Sequence, residues 1–286
     1  IDRSLVGSEM CIRDRYQIEA EMEKTFYDLG AERLGYPSIV ASGDNACILH
    51  YSTNREKVDN NGLILIDAAA EFKMYSSDVT RTFPVNGKFT KAQKDVYTEV
   101  LNAQELGIKN VTTKKTMSDI HTSTVTSISQ SLVDLGLVPM GVEETISMMH
   151  YFEFFMHGTG HWLGLDVHDA GTTEEKNKPR KLKPGMVTTI EPGIYIRPNK
   201  PEIEFKLLER DPKKIRERRK SLGMEKATKL ESEEMKDAKS VKHKIPKDLL
   251  GIGIRIEDDI VCTENDPINL TIGAPKTIDD VEAICS

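Results

Sequence analysis

The chain of 286 residues carries 39 Lys and Arg against 46 Asp and Glu, a formal net charge of -7, with 38% hydrophobic residues. That is enough for one large domain with a substantial core, and no stretch approaches the roughly eighteen apolar residues a membrane span needs. Residues 199–247 reverse the balance, with 16 Lys and Arg against 10 Asp and Glu, but they lack interleaved aromatics or a binding motif, which argues against a nucleic-acid partner.

The first fifteen residues, IDRSLVGSEMCIRDR, are set aside. The run from Ser4 to Asp14 back-translates in frame onto the mosaic-end adapter of transposon-based sequencing libraries, and such scars are excluded from fold reasoning. The native sequence is then expected to begin at Tyr16, truncated at its N-terminus. Cys11 falls in the excluded run. The remaining Cys47, Cys262 and Cys285 are scattered, with no disulfide framework and no zinc-type pairing, which fits a reducing, cytoplasmic compartment.

Residues 16–29 read as a helix that Gly30 ends. Short apolar segments follow at Ile39–Ala41 and Ala46–Tyr51. Gly62–Phe72 and Val79–Val85 read as two strands of one hairpin. Thr90 is placed to cap a helix running to Lys109, and a second helix spans Ser118 to Leu135, closed by Gly136. Strands return at Val187–Ile196 and Ile252–Cys262, before a short helix at Thr277–Ile284. Strands and helices in separate blocks predict an α+β fold rather than a βαβ series. More than half of residues 199–247 are charged, so this segment is expected to be a surface insertion, with an exposed helix around KKIRERRKSLGMEKATKL.

Within this frame Asp67 and Asp78 lie eleven residues apart. A hairpin turning at Phe72 and Lys73 puts them directly opposite, about 5 Å apart, where like charges repel unless they share a proton or bind a cation. Glu191 ends the apolar run MVTTI and precedes Pro-Gly, so a forced turn presents its carboxylate at the end of the sheet. In GIGIRIEDD, alternation puts Arg255 and Glu257 on one face and the isoleucines on the other. Arg255 is then suited to orient a carboxylate through paired hydrogen bonds. His157, His161 and His168 are concentrated, and His50 precedes Tyr51. The spacing of His157 and His161 is helical, but two glycines and no Glu separate them, so a zinc-protease helix is not implied. Four carboxylates and one imidazole, brought together, call for divalent ions. Trp162, the only tryptophan, is expected to pack in the core.

These motifs resemble the Xaa-Pro aminopeptidases of the pita-bread superfamily, which also holds prolidase and methionine aminopeptidase. The resemblance rests on NACILHY, LILIDAAAEF, SSDVTRTFPVNGKFT, FMHGTGHWLGLDVHDAG, TTIEPGIYI and GIGIRIEDDI. It covers Tyr16 to Ile284 apart from the charged insertion. It implies a curved antiparallel sheet with helices on its outer face, and a catalytic metallopeptidase domain over residues 16–286. By the resemblance, two divalent ions are held by Asp67, Asp78, His161, Glu191 and Glu257, with Asp78 and Glu257 bridging. The oxygen-rich donor set favours Mn²⁺. Glu191 is implied as general base and acid, and His168 as the group near the scissile carbonyl. His50 and His168 bind substrate, His157 lines a proline pocket, and Arg255 and Tyr195 orient ligands and substrate. The substrates implied are peptides with proline second, and the full-length protein is expected to be a homo-oligomer. The rivals are prolidase, which uses the same ligands on dipeptides, and a non-catalytic peptide-binding module, which would have lost ligands. Ala69 stands where most relatives have glycine, and the insertion is longer than the usual hairpin.

Overall fold

The computed structural model describes residues 14–176, 178–207 and 212–285. All of the set-aside N-terminal run except Asp14 and Arg15 lies outside the described residues. Asp14 makes a capping box with Gln17 at the head of helix Arg15–Asp28, and Arg15 is buried.

The heart of the fold is a curved antiparallel sheet. Strand Leu63–Ala68 lies between Ile39–Ser42 and Val79–Pro84. The Glu257 amide bonds to the Thr80 carbonyl at 3.1 Å, and the Arg255 amide to Thr82 Oγ1 at 3.3 Å, which carries the sheet into its second half. There Gly253–Arg255 pairs with Gly193–Tyr195, and Asp258–Val261 with Val187–Ile190. All six residues of Leu63–Ala68 are buried, because helices cover the sheet's outer face. Helix Lys91–Lys109 contributes Val96, Tyr97, Val100 and Ala103 to one core with Ile64, Ile66, Phe83, Ile254 and Ile256. It opens on a capping box between Thr90 and Gln93, and helix Met117–Asp134 opens on one between Thr116 and Asp119. Both ends of the second helix fall within a residue of the sequence expectation. Among the described residues, no helix is long and apolar enough to cross a membrane.

Two expectations that bear on the site need correction. The hairpin turns at Lys73 and Met74, both with positive φ (49° and 71°), one residue later than predicted. A turn shifted by one residue shifts the pairing by two, so Asp67 stands opposite Thr80 rather than Asp78. Because side chains alternate with period two, the two aspartates still share a face. Second, Val187–Ile196 and Ile252–Cys262 are not continuous strands. Each is broken beside its carboxylate, at Glu191–Pro192 and at Ile256–Glu257. Proline has no amide hydrogen to give the ladder.

The charged insertion is a two-stranded ribbon, Glu202–Leu207 with Lys239–Lys244, carrying helices Pro212–Leu222 and Met224–Asp237. It therefore holds two helices where one was expected. Of the apolar segment Ala46–Tyr51, Ala46 and Cys47 belong to the 3-10 turn Gly43–Cys47.

Candidate functional site

The concave face of the sheet opens into a cavity of about 640 Å³. Every expected site residue except Tyr195 lines it: His50, Asp67, Asp78, His157, His161, His168, Glu191, Arg255 and Glu257. Tyr195 stands behind His157, its hydroxyl 2.9 Å from Nε2.

The carboxylates arrive from three directions. Asp67 lies in the central strand, and Asp78 immediately precedes its neighbour. Glu191 and Glu257 sit at the two breaks in the other half of the sheet. His157 and His161 come from an extended segment, not a helix. That segment runs against Val187–Ile190, with the Thr159 carbonyl accepting from the Glu191 amide and the His161 carbonyl from the Thr189 amide. Gly160 permits this approach, since a Cβ there would lie 1.8 Å from the Thr189 carbonyl oxygen.

His161 Nδ1 lies 3.0 Å from the Trp162 carbonyl. A carbonyl can only accept, so Nδ1 carries a hydrogen and Nε2 faces the acids, 3.3 Å from Asp78 and 3.6 Å from Glu191. Arg255 reaches three partners: the Asp67 carboxylate, Thr80 Oγ1 at 3.1 Å and the Tyr195 hydroxyl at 3.1 Å. Thr80 passes the bond on, donating to Glu257 at 2.6 Å. Tyr36 was not singled out from the sequence, yet its hydroxyl sits between Asp67 and Asp78 and bonds to both. One phenol hydrogen can serve only one of the two carboxylates at a time.

The electrostatics follow from crowding. Burial raises the Asp67 carboxyl, and Asp78 adds to the rise while Arg255 opposes it. Burial lifts Glu191 to about 7 and Glu257 well above the usual carboxylate range. For His161, burial alone would favour the neutral ring, but Asp78, the Trp162 carbonyl and Glu191 outweigh it and raise it to about 9. His157 is lowered to about 3, by burial first and then by Arg255.

This donor set fits divalent cations. Asp78, His161 and Glu257 offer donor atoms all within 4.8 Å of one another. Asp67 and Glu191 line the same cavity, and Arg255 is the guanidinium among them. Carboxylates this crowded hold protons in place of a cation. Asp259 was also missed: its Oδ2 accepts from the Asp78 amide at 3.0 Å, and its Oδ1 is buried without a partner. In the sequence it was one of three consecutive acids, with nothing to separate it from Asp258.

The curved sheet, its outer helices and this acid-lined cavity define a pita-bread domain. Residues 8–264 match the sequence pattern of metallopeptidase family M24. The chain is 38% identical over 269 residues to the Xaa-Pro aminopeptidase of Escherichia coli strain K12, covering 94% of this chain and 51% of that protein. It is 34% identical over 257 residues to human Xaa-Pro aminopeptidase 3, covering 90% of this chain and 42% of the relative. Zinc-substituted E. coli aminopeptidase P in complex with product superposes with a TM-score of 0.77 at 37% identity, covering 96% of this chain and 52% of the other. The Pseudomonas aeruginosa aminopeptidase PepP structure superposes with a TM-score of 0.78 at 38% identity, again over 96% and 52%. The chain belongs to metallopeptidase family M24. It spans about half the length of the Xaa-Pro aminopeptidases it matches.

Proposed function

We propose that this chain is the catalytic domain of a dinuclear metallo-aminopeptidase that hydrolyses the bond between an N-terminal residue and a following proline. What carries the reading is the convergence of Asp67, Asp78, His161, Glu191 and Glu257 on one cavity, in a chain 38% identical to a named Xaa-Pro aminopeptidase. Asp67, Asp78 and Glu257 would hold one ion, and Asp78, Glu257, His161 and Glu191 the other. Hard oxygen donors with one imidazole suit Mn²⁺. When bound, such ions supply a water that ionises near neutral pH and polarise the carbonyl to be attacked.

The chain's own groups do the rest. Glu191, at the break in the sheet beside the other donors, would take the water's proton and return it to the leaving proline nitrogen. His168, its ring 4.3 Å from that of His161, would donate to the carbonyl oxygen as charge builds there. His50 and His168 hold the substrate backbone. Arg255 holds Asp67 and Tyr195, and Tyr195 holds His157 beside the proline. Proline brings a fixed ring and no amide hydrogen, so a slot that offers that nitrogen no acceptor favours it over other residues. Among the described residues, Cys47, Cys262 and Cys285 are buried and unpaired, which accords with a cytoplasmic protein. The full-length protein is proposed to be a homo-oligomer.

The test is cleavage of an Xaa-Pro dipeptide, an Xaa-Pro-Xaa tripeptide and an Xaa-Ala control with added Mn²⁺, read by mass spectrometry. Loss of the first residue from the tripeptide and none from the control is the expected result. Cleavage confined to the dipeptide would make the chain a dipeptidase. No cleavage together with no bound Mn²⁺ would make it a binding module.

A further inference from the structure

The charged insertion is fixed at its root and bare beyond it. Its ribbon, Glu202–Leu207 with Lys239–Lys244, turns Ile203, Phe205, Leu207 and Val241 onto the core. His150 Nε2 donates to the Lys206 carbonyl at 2.8 Å, and His243 Nε2 to the Gly136 carbonyl at 2.8 Å. Both rings lie against buried Phe205. Gly136 follows the end of helix Met117–Asp134, whereas His121, near the start of that helix, bonds to Thr159 in the segment that carries His161. The ribbon is thus rooted at the end of the helix away from His161, and no described residue of the insertion lines the cavity.

The two helices that the ribbon carries, Pro212–Leu222 and Met224–Asp237, are 11 and 14 residues long. Helices of that length are marginal in water by themselves and owe their stability to a face packed on something else. Among the described residues, each packs chiefly on the other. Only Ala227 is buried among them, while Leu222 and Leu230 are exposed, one on each helix. The charges of the two helices are opposed. Pro212–Leu222 holds six Lys and Arg against one Glu, a net +5, and Met224–Asp237 holds five Asp and Glu against three Lys, a net -2. Arg218 and Glu234 join them within one chain at 2.7 Å, and Lys214, Lys220 and Glu233 are exposed. A basic helix beside an acidic one is its own complement, because a two-fold axis brings each onto the other's opposite. A polyanion would gain at the first helix and lose at the second.

We propose that the insertion is a dimerisation arm. Its two helices pack on those of a second copy of this chain as a four-helix bundle, with Pro212–Leu222 of each copy lying across Met224–Asp237 of the other. Leu222 and Leu230 close between them, and the basic helix meets the acidic one twice. The pairing stands or falls without reference to the reaction at the cavity. Because charge steers it, it weakens as salt rises.

The experiment is sedimentation velocity across a concentration series, on the natural chain and three variants. In the first, Asn-Gly replaces residues 208–238; Leu207 and Lys239 pair directly, so a two-residue turn closes the ribbon. The second is Lys214→Glu with Lys220→Glu, and the third is Thr228→Lys with Glu233→Lys, all at exposed positions. The natural chain should dimerise, with a Kd that rises at least about tenfold from about 0.05 M to about 0.5 M salt. The shortened chain should stay monomeric and keep the natural Mn²⁺ stoichiometry. Each charge variant should dimerise at least about tenfold more weakly than the natural chain. The two mixed should nevertheless form a heterodimer tighter than the homodimer of either, a recovery that a variant unable to fold could not show. A natural chain that is monomeric throughout, a shortened chain that dimerises as tightly, or charge variants that gain nothing by mixing would overturn the proposal. So would a monomer retained by heparin through Lys214 and Lys220, which would make the arm a polyanion site.

Discussion

Glu191 stands directly across the sheet from Glu257. Ile190 pairs with Asp258 and Gly193 with Arg255, and the same register carries through the break between them. Like charges directly opposed on neighbouring strands are destabilising. The chain meets that cost by holding both groups toward their protonated forms, Glu191 at about 7 and Glu257 higher, through burial first, with the charges of Asp78 and Asp67 adding to the rise at both and Glu191 adding to it at Glu257.

A pH dependence of the metal-free chain follows. The folded pKa of Glu191 lies above its ordinary value of 4.5, so its stabilising contribution is full below 4.5 and is lost as pH rises through about 7. His161, raised from 6.5 to about 9, acts in the same direction over the next interval. The thermal midpoint of the metal-free chain should therefore fall by more than about 4 °C between pH 5 and pH 9. Differential scanning calorimetry in a chelating buffer reads this directly, and a flat midpoint would contradict the assignment. Asp259, lifted to about 7 by burial, contributes to the same slope, and Asp259→Asn should flatten it between pH 5 and pH 7.

Metal affinity should run the opposite way. Ligands must lose their protons to bind a cation, so Mn²⁺ affinity is expected to climb at least about tenfold from pH 6 to pH 8, because the protons that Glu191 and His161 hold in the metal-free chain compete with the cation and weaken as competitors as pH rises. Isothermal titration calorimetry in two buffers of different ionisation enthalpy would count the protons released. Asp78→Ala should remove tight binding altogether. A variant that keeps full stoichiometry and turnover would show that Asp78 is not a ligand.

Much of this site was legible because its residues come with local signals. Glu191 is followed by Pro-Gly, and Glu257 sits in an alternating strand, so each could be assigned to a face without knowing the fold. The two long helices were read to within a residue for the same reason: Thr90 bonds within the first turn it caps, and Gly136 directly follows the C-cap Leu135. Tyr36 and Thr80 carried no such signal. Their partners are Asp67 and Asp78, 31 and 42 residues from Tyr36, and Glu257, 177 residues from Thr80. The hairpin register was missed because it depends on positive φ at Lys73 and Met74, which neither residue type advertises.

The hydrogen bonds around His157 have one consistent direction. Nδ1 lies 2.8 Å from the Gly158 carbonyl and must donate to it, so Nε2 accepts from the Tyr195 hydroxyl, whose oxygen accepts from Arg255. The ring is thereby held neutral. Tyr195→Phe should leave metal stoichiometry intact and cost about tenfold in kcat/KM for proline peptides, the scale of one hydrogen bond. Nitrogen NMR of His157 should show the Nδ1–H tautomer with no titration above pH 5. A ring that protonates near 6.5 would contradict this chain of donors.

Asp258 lies next to Glu257 but faces the opposite way, into the helices. Its fully buried carboxylate accepts from Arg81 at 2.6 Å, Lys276 at 2.7 Å, Gln104 at 2.8 Å and Thr271 at 2.8 Å. Burial alone would raise this carboxyl, but Arg81 and Lys276 outweigh it and hold it below its ordinary value. Its contribution is therefore present above the ordinary value and lost as pH falls through the lowered one. Asp258→Asn keeps the volume and strands two cations, so it should cost about 3–5 kcal/mol in urea unfolding at pH 7. Lys276 is partly exposed and can turn to water, whereas Arg81 cannot. Adding Arg81→Met to Asp258→Asn should accordingly restore part of the loss. If the two changes instead proved additive, the pair would not be the joint that ties strand Val79–Pro84 to the C-terminal segment.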